Sequence, residues 1–134
     1  MHVIATTVVW LVEIFPTIRG LATRGISKNM NIKLGPIIAE RTLTALHSDG
    51  SQTTARVMLG KPQIMQGSEF GDFITPYMIS VSGVEKTHFM AGIDAFQSLQ
   101  LALKTLAVEL RDIERKLNVK LDWEGGKDGD LGFN

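Results

Sequence analysis

Residues 94–117 read DAFQSLQLALKTLAVELRDIERKL, and this stretch decides the fold. Its large apolar side chains recur at alternating steps of three and four residues: Phe96, Leu99, Leu103, Leu106, Leu110, Ile113 and Leu117. On a helix with 3.6 residues per turn this spacing forms one apolar stripe, so it predicts an amphipathic helix with the stripe in the core. Asp94 and Gln97 are typical of an N-cap and the third residue of a capping box, which places the helix start at Asp94.

A first hairpin is predicted upstream of the helix. Residues 37–47 and 53–59 alternate apolar and polar side chains, as half-buried strands do, although Arg41 falls on the apolar side of its strand. The Asp-Gly pair within residues 48–51 favours a tight turn between them, because Gly tolerates positive φ.

A second hairpin is predicted from residues 77–82 and 86–91. A three-residue loop at 83–85 places Tyr77, Ile79 and Val81 on one face with Thr87, Phe89 and Ala91. A two-residue loop scatters the apolar side chains over both faces. Because burial sets register, we expect the three-residue loop.

The chain as a whole predicts an α+β fold: an antiparallel β-meander of about four strands packed on one long α-helix in the C-terminal half. Its 134 residues suit one domain, which we place at residues 30–124. Residues 125–134 are rich in Gly and Asp, and we expect a flexible tail there.

Residues 1–29 form an atypical N-terminal extension. Val3 to Val12 is apolar but is followed by Glu13 and Pro16, well short of the roughly 20 residues a bilayer span needs. Three interpretations stay open: a membrane-associating segment, an extra element of the fold, or upstream sequence read through from a wrongly chosen start. We favour the last, with Met30 as the true initiator.

Composition excludes several classes of function. Lys and Arg together number 14, as do Asp and Glu, so a nucleic-acid binder relying on bulk charge is not expected. No cysteine is present, which excludes disulfides, thiolate metal sites and a Cys nucleophile and fits a cytoplasmic location. The acidic residues of the tail follow neither calcium-loop pattern, so a solvated tail is expected in place of a metal site.

No catalytic, cofactor-binding or metal-binding residue is predicted. A Ser–His pair of Ser80 and His88 with Glu40 or Glu85 is conceivable, but nothing like a nucleophile elbow accompanies Ser80 or Ser82. One helix covers only one face of a sheet, so the other face is free for binding. We expect it to carry an adaptable, Met-containing interaction surface: Arg56, Met58, Met78, Ser80, Lys86, His88 and Met90.

Residues 92–110, GIDAFQSLQLALKTLAVEL, resemble the hallmark of a family of small uncharacterised bacterial proteins, a domain of unknown function whose helix begins G-I-D-x-x-Q-S-L-Q-L-A-L. Gly-Lys-Pro at 60–62, Trp123 and Leu-Gly-Phe at 131–133 also match that family. The resemblance covers residues 34 to 133 approximately. It implies a bacterial source, an antiparallel meander and one long helix, and it implies no catalytic residues.

Three functional hypotheses follow. The first is a non-catalytic, cytoplasmic protein–protein interaction module of immunity or regulatory type, by analogy with small proteins encoded beside toxins. The second is a small-ligand binder or enzyme with a pocket near His88, Ser80 and Arg56. The third is a membrane-associated protein tethered by residues 3–18. We expect a protein partner, with no nucleic acid and no membrane, and a homodimer through the helix stripe stays open.

Overall fold

A computed structural model of the chain describes residues 32–133, so the extension at 1–29 lies outside the described residues. This part is α+β, with one antiparallel sheet and one long helix, as predicted. Its elements are β1 (Ile37–His47), β2 (Gln52–Gly60), β3 (Gln63–Ile64), β4 (Phe73–Val81), β5 (Val84–Gly92), α1 (Ala95–Leu117) and β6 (Val119–Asp122). The described sheet therefore has six strands where about four were expected, because the short β3 and β6 were not predicted.

Across the sheet the strands run β5-β4-β2-β1-β6, and β3 pairs with β4 just beyond the end of β2. The helix α1 packs on one face of the sheet against β4, β5 and β6. We call this the inner face, and the opposite side the outer face. Leu43, Val57, Ile79 and Leu121 are buried beneath the helix and form the main core with its buried residues.

The helix begins where the sequence predicts. The Asp94 carboxylate accepts from the Gln97 amide at 2.7 Å, while the Gln97 side chain accepts from the Ile93 amide at 2.8 Å. Together they satisfy two amides that the first turn cannot pair internally. The helix ends at Asn118, whose φ of 52° is left-handed and turns the chain into β6.

The face that α1 turns toward the sheet differs from the predicted stripe by roughly a quarter turn. Its buried residues are Ser98, Leu101, Ala102, Thr105, Leu106, Leu110 and Ile113. Three stripe members point away, since Phe96 is 77% exposed, Leu103 38% and Leu117 40%. The expectation that the whole stripe is core is therefore wrong.

Contacts at the start of α1 explain this orientation. Ser98 Oγ lies 2.8 Å from Thr75 Oγ1 of β4, a buried polar contact that holds this side of the helix on the sheet. Gly92 ends β5 so close to the helix that a Cβ there would lie 2.5 Å from the Ser98 nitrogen. Only glycine permits this approach. The helix therefore packs on the sheet through the side that carries Ser98, and Phe96 points away from the sheet.

The second hairpin has a two-residue turn, so the predicted three-residue loop is wrong. Ser82 and Gly83 both have positive φ, 51° and 81°, and Val81 pairs with Val84 across the turn. This primed turn matches the twist of the strands. Phe89 therefore faces outward, where it is buried with Met65 in a second small cluster. The prediction failed because it assumed that only one face of the sheet buries apolar side chains.

The C-terminal segment, expected to be a loose tail, packs against the domain in the structure. Leu131 is buried in the main core, and the Arg41 guanidinium donates to the carbonyls of Leu131 and Gly132 at 2.9 and 3.0 Å. The same guanidinium lies 3.9 Å from the centre of the Trp123 ring and 4.7 Å from that of Phe133. These contacts explain why a charged residue is found on the inner face: Arg41 holds the C-terminal segment against the sheet.

Replacing Arg41 with Met should release this tail, because the variant loses two charge-assisted hydrogen bonds and two cation–π contacts, worth about 1–3 kcal/mol together. Arg41→Lys keeps the charge but lacks the planar fork, so it should fall between the parent and Arg41→Met. The measurement is the rate of proteolytic cleavage within residues 124–133. Equal cleavage rates in the parent and Arg41→Met would contradict the fastening role.

Candidate interaction surface

Four of the predicted interface residues lie on the outer face. Arg56 pairs with Ser80 and Met58 pairs with Met78 in the β2–β4 ladder, and they alternate with core residues of the inner face. The surface is less apolar than expected, because Met58 is only 4% exposed. Arg56 is exposed and bridges to the Glu40 carboxylate at 2.7 Å. The exposed part of this patch is therefore mainly polar.

The other three, Lys86, His88 and Met90, were placed on the wrong face. Register pairs Lys86 with Ile79 and His88 with Tyr77, so their strand presents them toward the helix. Met90 is buried in the main core. Lys86 lines a cavity of about 120 Å³ beside the C-terminal half of α1. His88 lies on the opposite face of the sheet from Ser80 and Arg56, so these three residues do not line one pocket.

His88 instead takes part in a polar cluster between sheet and helix. Its Nδ1 lies 2.6 Å from the Glu109 carboxylate on α1, and both side chains are nearly nine-tenths buried. The ring also meets Tyr77 edge to face, with centroids 5.8 Å apart. Burial, reinforced by the Glu109 charge, raises the pKa of Tyr77 well above its usual value. A phenol that holds its proton so firmly is a poor acid at neutral pH. The His88–Glu109 contact joins β5 to the helix.

Sequence reasoning missed a second histidine contact, at the exposed turns. His47 Nε2 lies 2.9 Å from Thr53 Oγ1 and 3.2 Å from Ser82 Oγ. A triad would need a carboxylate on the other ring nitrogen. The Asp49 carboxylate bonds to Ser51 instead, and these bonds lower the pKa of Asp49. These contacts join the β1–β2 turn to the β4–β5 turn. They could have been predicted only with the correct pairing of β2 and β4, which brings the two turns together.

The quarter-turn orientation of α1 leaves an apolar strip on the outside of the helix. Phe96 is the most exposed large apolar side chain among residues 32–133, and Leu103 follows two turns later, with the half-buried Leu99 between them. We call Phe96, Leu99 and Leu103 the helix edge. Their spacing of i, i+3 and i+7 is that of the anchor residues with which a helix binds another protein surface.

A cavity of about 180 Å³ adjoins the helix edge. Its walls come from the helix, the inner face of the sheet and the C-terminal segment: Leu103, Leu106, Val57, Leu59 and Phe133. The helix packs against β4, β5 and β6, and the β2 residues that line the cavity are themselves buried, with Val57 3% and Leu59 7% exposed. The lining of the cavity also includes Glu40 and Arg41, so the helix edge and the cavity together form a surface with a protruding ring and a recess of mixed polarity.

Within residues 32–133, no helix combines the length and apolar character needed to cross a membrane. The proposed tether at residues 3–18 lies outside the described residues.

Comparison with known proteins places the chain in one family. Searches of curated proteins and of solved structures return no match. A family model described as Domain of unknown function (DUF6968) matches residues 39–134, which confirms the resemblance to a domain of unknown function. Because this match spans most of the chain, the protein belongs to the family Domain of unknown function (DUF6968).

Proposed function

We propose that the protein is a non-catalytic module that binds another protein, and that the helix edge is its binding surface. The observation that carries this proposal is the 77% exposure of Phe96 on the helix edge, beside a recess lined by apolar side chains together with Glu40 and Arg41. Leaving a large aromatic side chain in water forgoes about 1.5–3 kcal/mol of burial free energy, which a partner can recover on binding. Aromatic anchors beside pockets are also the usual centres of binding energy in interfaces.

The polar residues support a binding role over a catalytic one. His88 and Glu109 face each other between helix and sheet, and His47 is shared by two hydroxyls. The cavity beside the helix edge, about 180 Å³, is smaller than the roughly 300 Å³ at which small-molecule pockets begin. It suits one side chain of a partner better than a separate ligand.

The setting of this function is also part of the proposal. We infer that the module acts in the bacterial cytoplasm as an immunity-type or regulatory protein. The absence of cysteine supports a reducing compartment. The formal net charge of zero favours a partner recognised by apolar complementarity over one recognised by bulk charge, such as a nucleic acid.

Affinity capture from the native host with the full-length chain tests the proposal. Phe96→Lys/Leu103→Lys should lose the partner by about tenfold or more, because truncating a single anchor in an interface often costs over about 2 kcal/mol. The matched control is Thr42→Lys/Thr54→Lys, which adds the same charge at exposed positions of the outer face. It should bind as the parent does.

Two outcomes would contradict this assignment. If only the outer-face variant Thr42→Lys/Thr54→Lys loses the partner, the binding surface is the outer face of the sheet, as the sequence predicted, and not the helix edge. Recovery of no specific partner by the parent chain would contradict a protein-binding function.

A further inference from the structure

We propose that a second site, separate from the helix edge, binds the C-terminal residue of a partner protein through a branched aliphatic side chain and the adjoining α-carboxylate. The site is the cavity of about 120 Å³ between the β4–β5 hairpin and the last turns of α1, which we call the hairpin pocket. It lies at the C-terminal end of α1, whereas the helix edge lies in the N-terminal half. This inference goes beyond the proposed function, because a different surface carries it.

The apolar part of the hairpin pocket fits an aliphatic side chain. Ile79, Val81 and Ile113 line the pocket and are buried, while Val84 and Leu117 line it and stay exposed. Benzene, with six carbons, occupies an apolar protein cavity of roughly 150 Å³, so about 120 Å³ has room for the four carbons of a leucine side chain. Such a side chain would contact the buried residues and take the two exposed ones out of water.

Two lysines complete the lining, one from each wall of the pocket. Lys86 comes from β5 and Lys116 from α1. Lys86 is partly buried, and no carboxylate of residues 32–133 lies within ion-pair distance of it. Lys116 binds Asp112 at 2.8 Å, but Asp112 also accepts from Arg115 at 3.2 Å, so one carboxylate serves two cations. An anionic group beside the aliphatic one would therefore complement the charge of the pocket.

Of the two lysines, Lys86 points more clearly to a ligand. Cations in the last turn of a helix offset the partial negative charge of its carbonyl end, which accounts for Arg115 and Lys116 without a ligand. Lys86 lies on a strand, on the face that packs against the helix, where a lysine without an ion pair is unusual. Its aliphatic stem can line the pocket while its ammonium reaches the opening. A carboxylate bound there would give this ammonium the partner that residues 32–133 do not supply.

A C-terminal residue brings the two groups together in the smallest space. Its carboxylate is attached to the same Cα as its side chain, so both can reach one small pocket. In an extended internal segment the next side chain points to the opposite side, and in a helix the nearest side chain on the same face is about 5–6 Å away. The geometry therefore favours a free C terminus that ends in Leu, Ile or Val over an internal acidic residue.

Fluorescence anisotropy with the full-length chain tests the proposal. The probe is the labelled peptide Gly-Ser-Gly-Ser-Leu with a free carboxylate, and its matched control is the same peptide with a C-terminal amide. The acid should bind at least about tenfold more tightly than the amide, because only the acid can pair with Lys86. Replacing the terminal Leu of the peptide with Ala should also weaken binding by about tenfold or more, because aliphatic carbons leave the pocket.

Two variants of the chain locate the site. Lys86→Met keeps an unbranched apolar stem but removes the charge, so it should bind the acid no more tightly than the amide. Its matched control, Lys104→Met, makes the same change at an exposed position of α1 and should bind as the parent does. A distorted pocket would weaken both peptides, whereas loss of the carboxylate contact weakens only the acid. Equal weakening of acid and amide by Lys86→Met would therefore overturn the role of this lysine.

Three results would overturn the proposal as a whole: equal binding of acid and amide by the parent, no saturable binding at about 1 mM peptide, or equal binding of the amidated peptide Gly-Glu-Leu-Glu-Gly. The last result would show that the hairpin pocket takes an acidic internal segment in place of a C terminus. The helix-edge variant Phe96→Lys/Leu103→Lys should bind the acid peptide as the parent does. Failure of the proposed function would therefore leave this test unaffected.

Discussion

Truncating Leu110 to Ala should lower the free energy of unfolding by about 2–5 kcal/mol, because it leaves a cavity in the centre of the core. Leu110 is 0% exposed and lies in the main cluster between α1 and the sheet. The measurement is urea denaturation followed by circular dichroism. An unchanged m-value would show that parent and variant expose the same surface on unfolding, so that the two free energies can be compared.

The matched control is Phe96→Ala, which removes a larger side chain from the same helix. Because Phe96 is 77% exposed, this variant should change the free energy of unfolding by no more than about 0.5 kcal/mol. Dilute protein is needed, so that dissociation of any assembly does not contribute to the transition. A greater loss in Phe96→Ala than in Leu110→Ala would show that the helix buries the stripe read from the sequence.

Glu109→Leu should cost about 3–5 kcal/mol, because it leaves the His88 imidazole in its enclosed position without this carboxylate. The two groups are 2.6 Å apart, with side chains only 11% and 13% exposed. The double variant His88→Leu/Glu109→Leu should recover much of that loss, since apolar side chains can replace a buried polar pair at little cost. A double-mutant cycle from denaturation curves measures the coupling.

The ion pair between Arg56 and Glu40 provides the control for this prediction. Its atoms are as close, at 2.7 Å, but its side chains are 49% and 38% exposed. Solvent screening should hold the cost of Glu40→Leu to about 0–1 kcal/mol. If Glu40→Leu and Glu109→Leu cost the same, the His88–Glu109 contact does not join the helix to the sheet as described.

Local signals in the sequence were sufficient for several elements. The first strand was predicted at residues 37–47 and is observed at Ile37–His47, because apolar and polar side chains alternate along most of it and an Asp-Gly turn follows it. The helix start was also predicted, because Asp94 and Gln97 satisfy backbone amides within a few residues of themselves. These features depend on residues that are close in the chain, so the sequence alone predicts them.

The sequence does not predict the orientation of the helix about its own axis, because the helix has more apolar surface than the sheet can cover. The heptad spacing predicts an apolar stripe but does not say which part of it meets the strands. That choice depends on long-range contacts: the Thr75–Ser98 hydrogen bond and the close approach at Gly92. The helix edge, and with it the candidate site, appears only once these contacts are known.

The register error has a related cause. The three-residue loop placed His88 outward because it gathered the apolar residues of the hairpin on one face. In the structure Glu109, 21 residues away in sequence, meets His88 between the sheet and the helix. Arg41 was similarly anomalous on an apolar strand face until Trp123 and Phe133 were seen to enclose it. In both cases a distant partner satisfies a polar side chain that looked misplaced in the sequence.

The most direct test of the binding surface is the alkylation rate of Phe96→Cys, measured for dilute protein and again with the captured partner. The account predicts rapid reaction in the isolated chain and protection of about tenfold or more in the complex, with Thr54→Cys on the outer face unaffected by binding. Slow reaction of Phe96→Cys in the isolated chain, or protection of Thr54→Cys in its place, would contradict it.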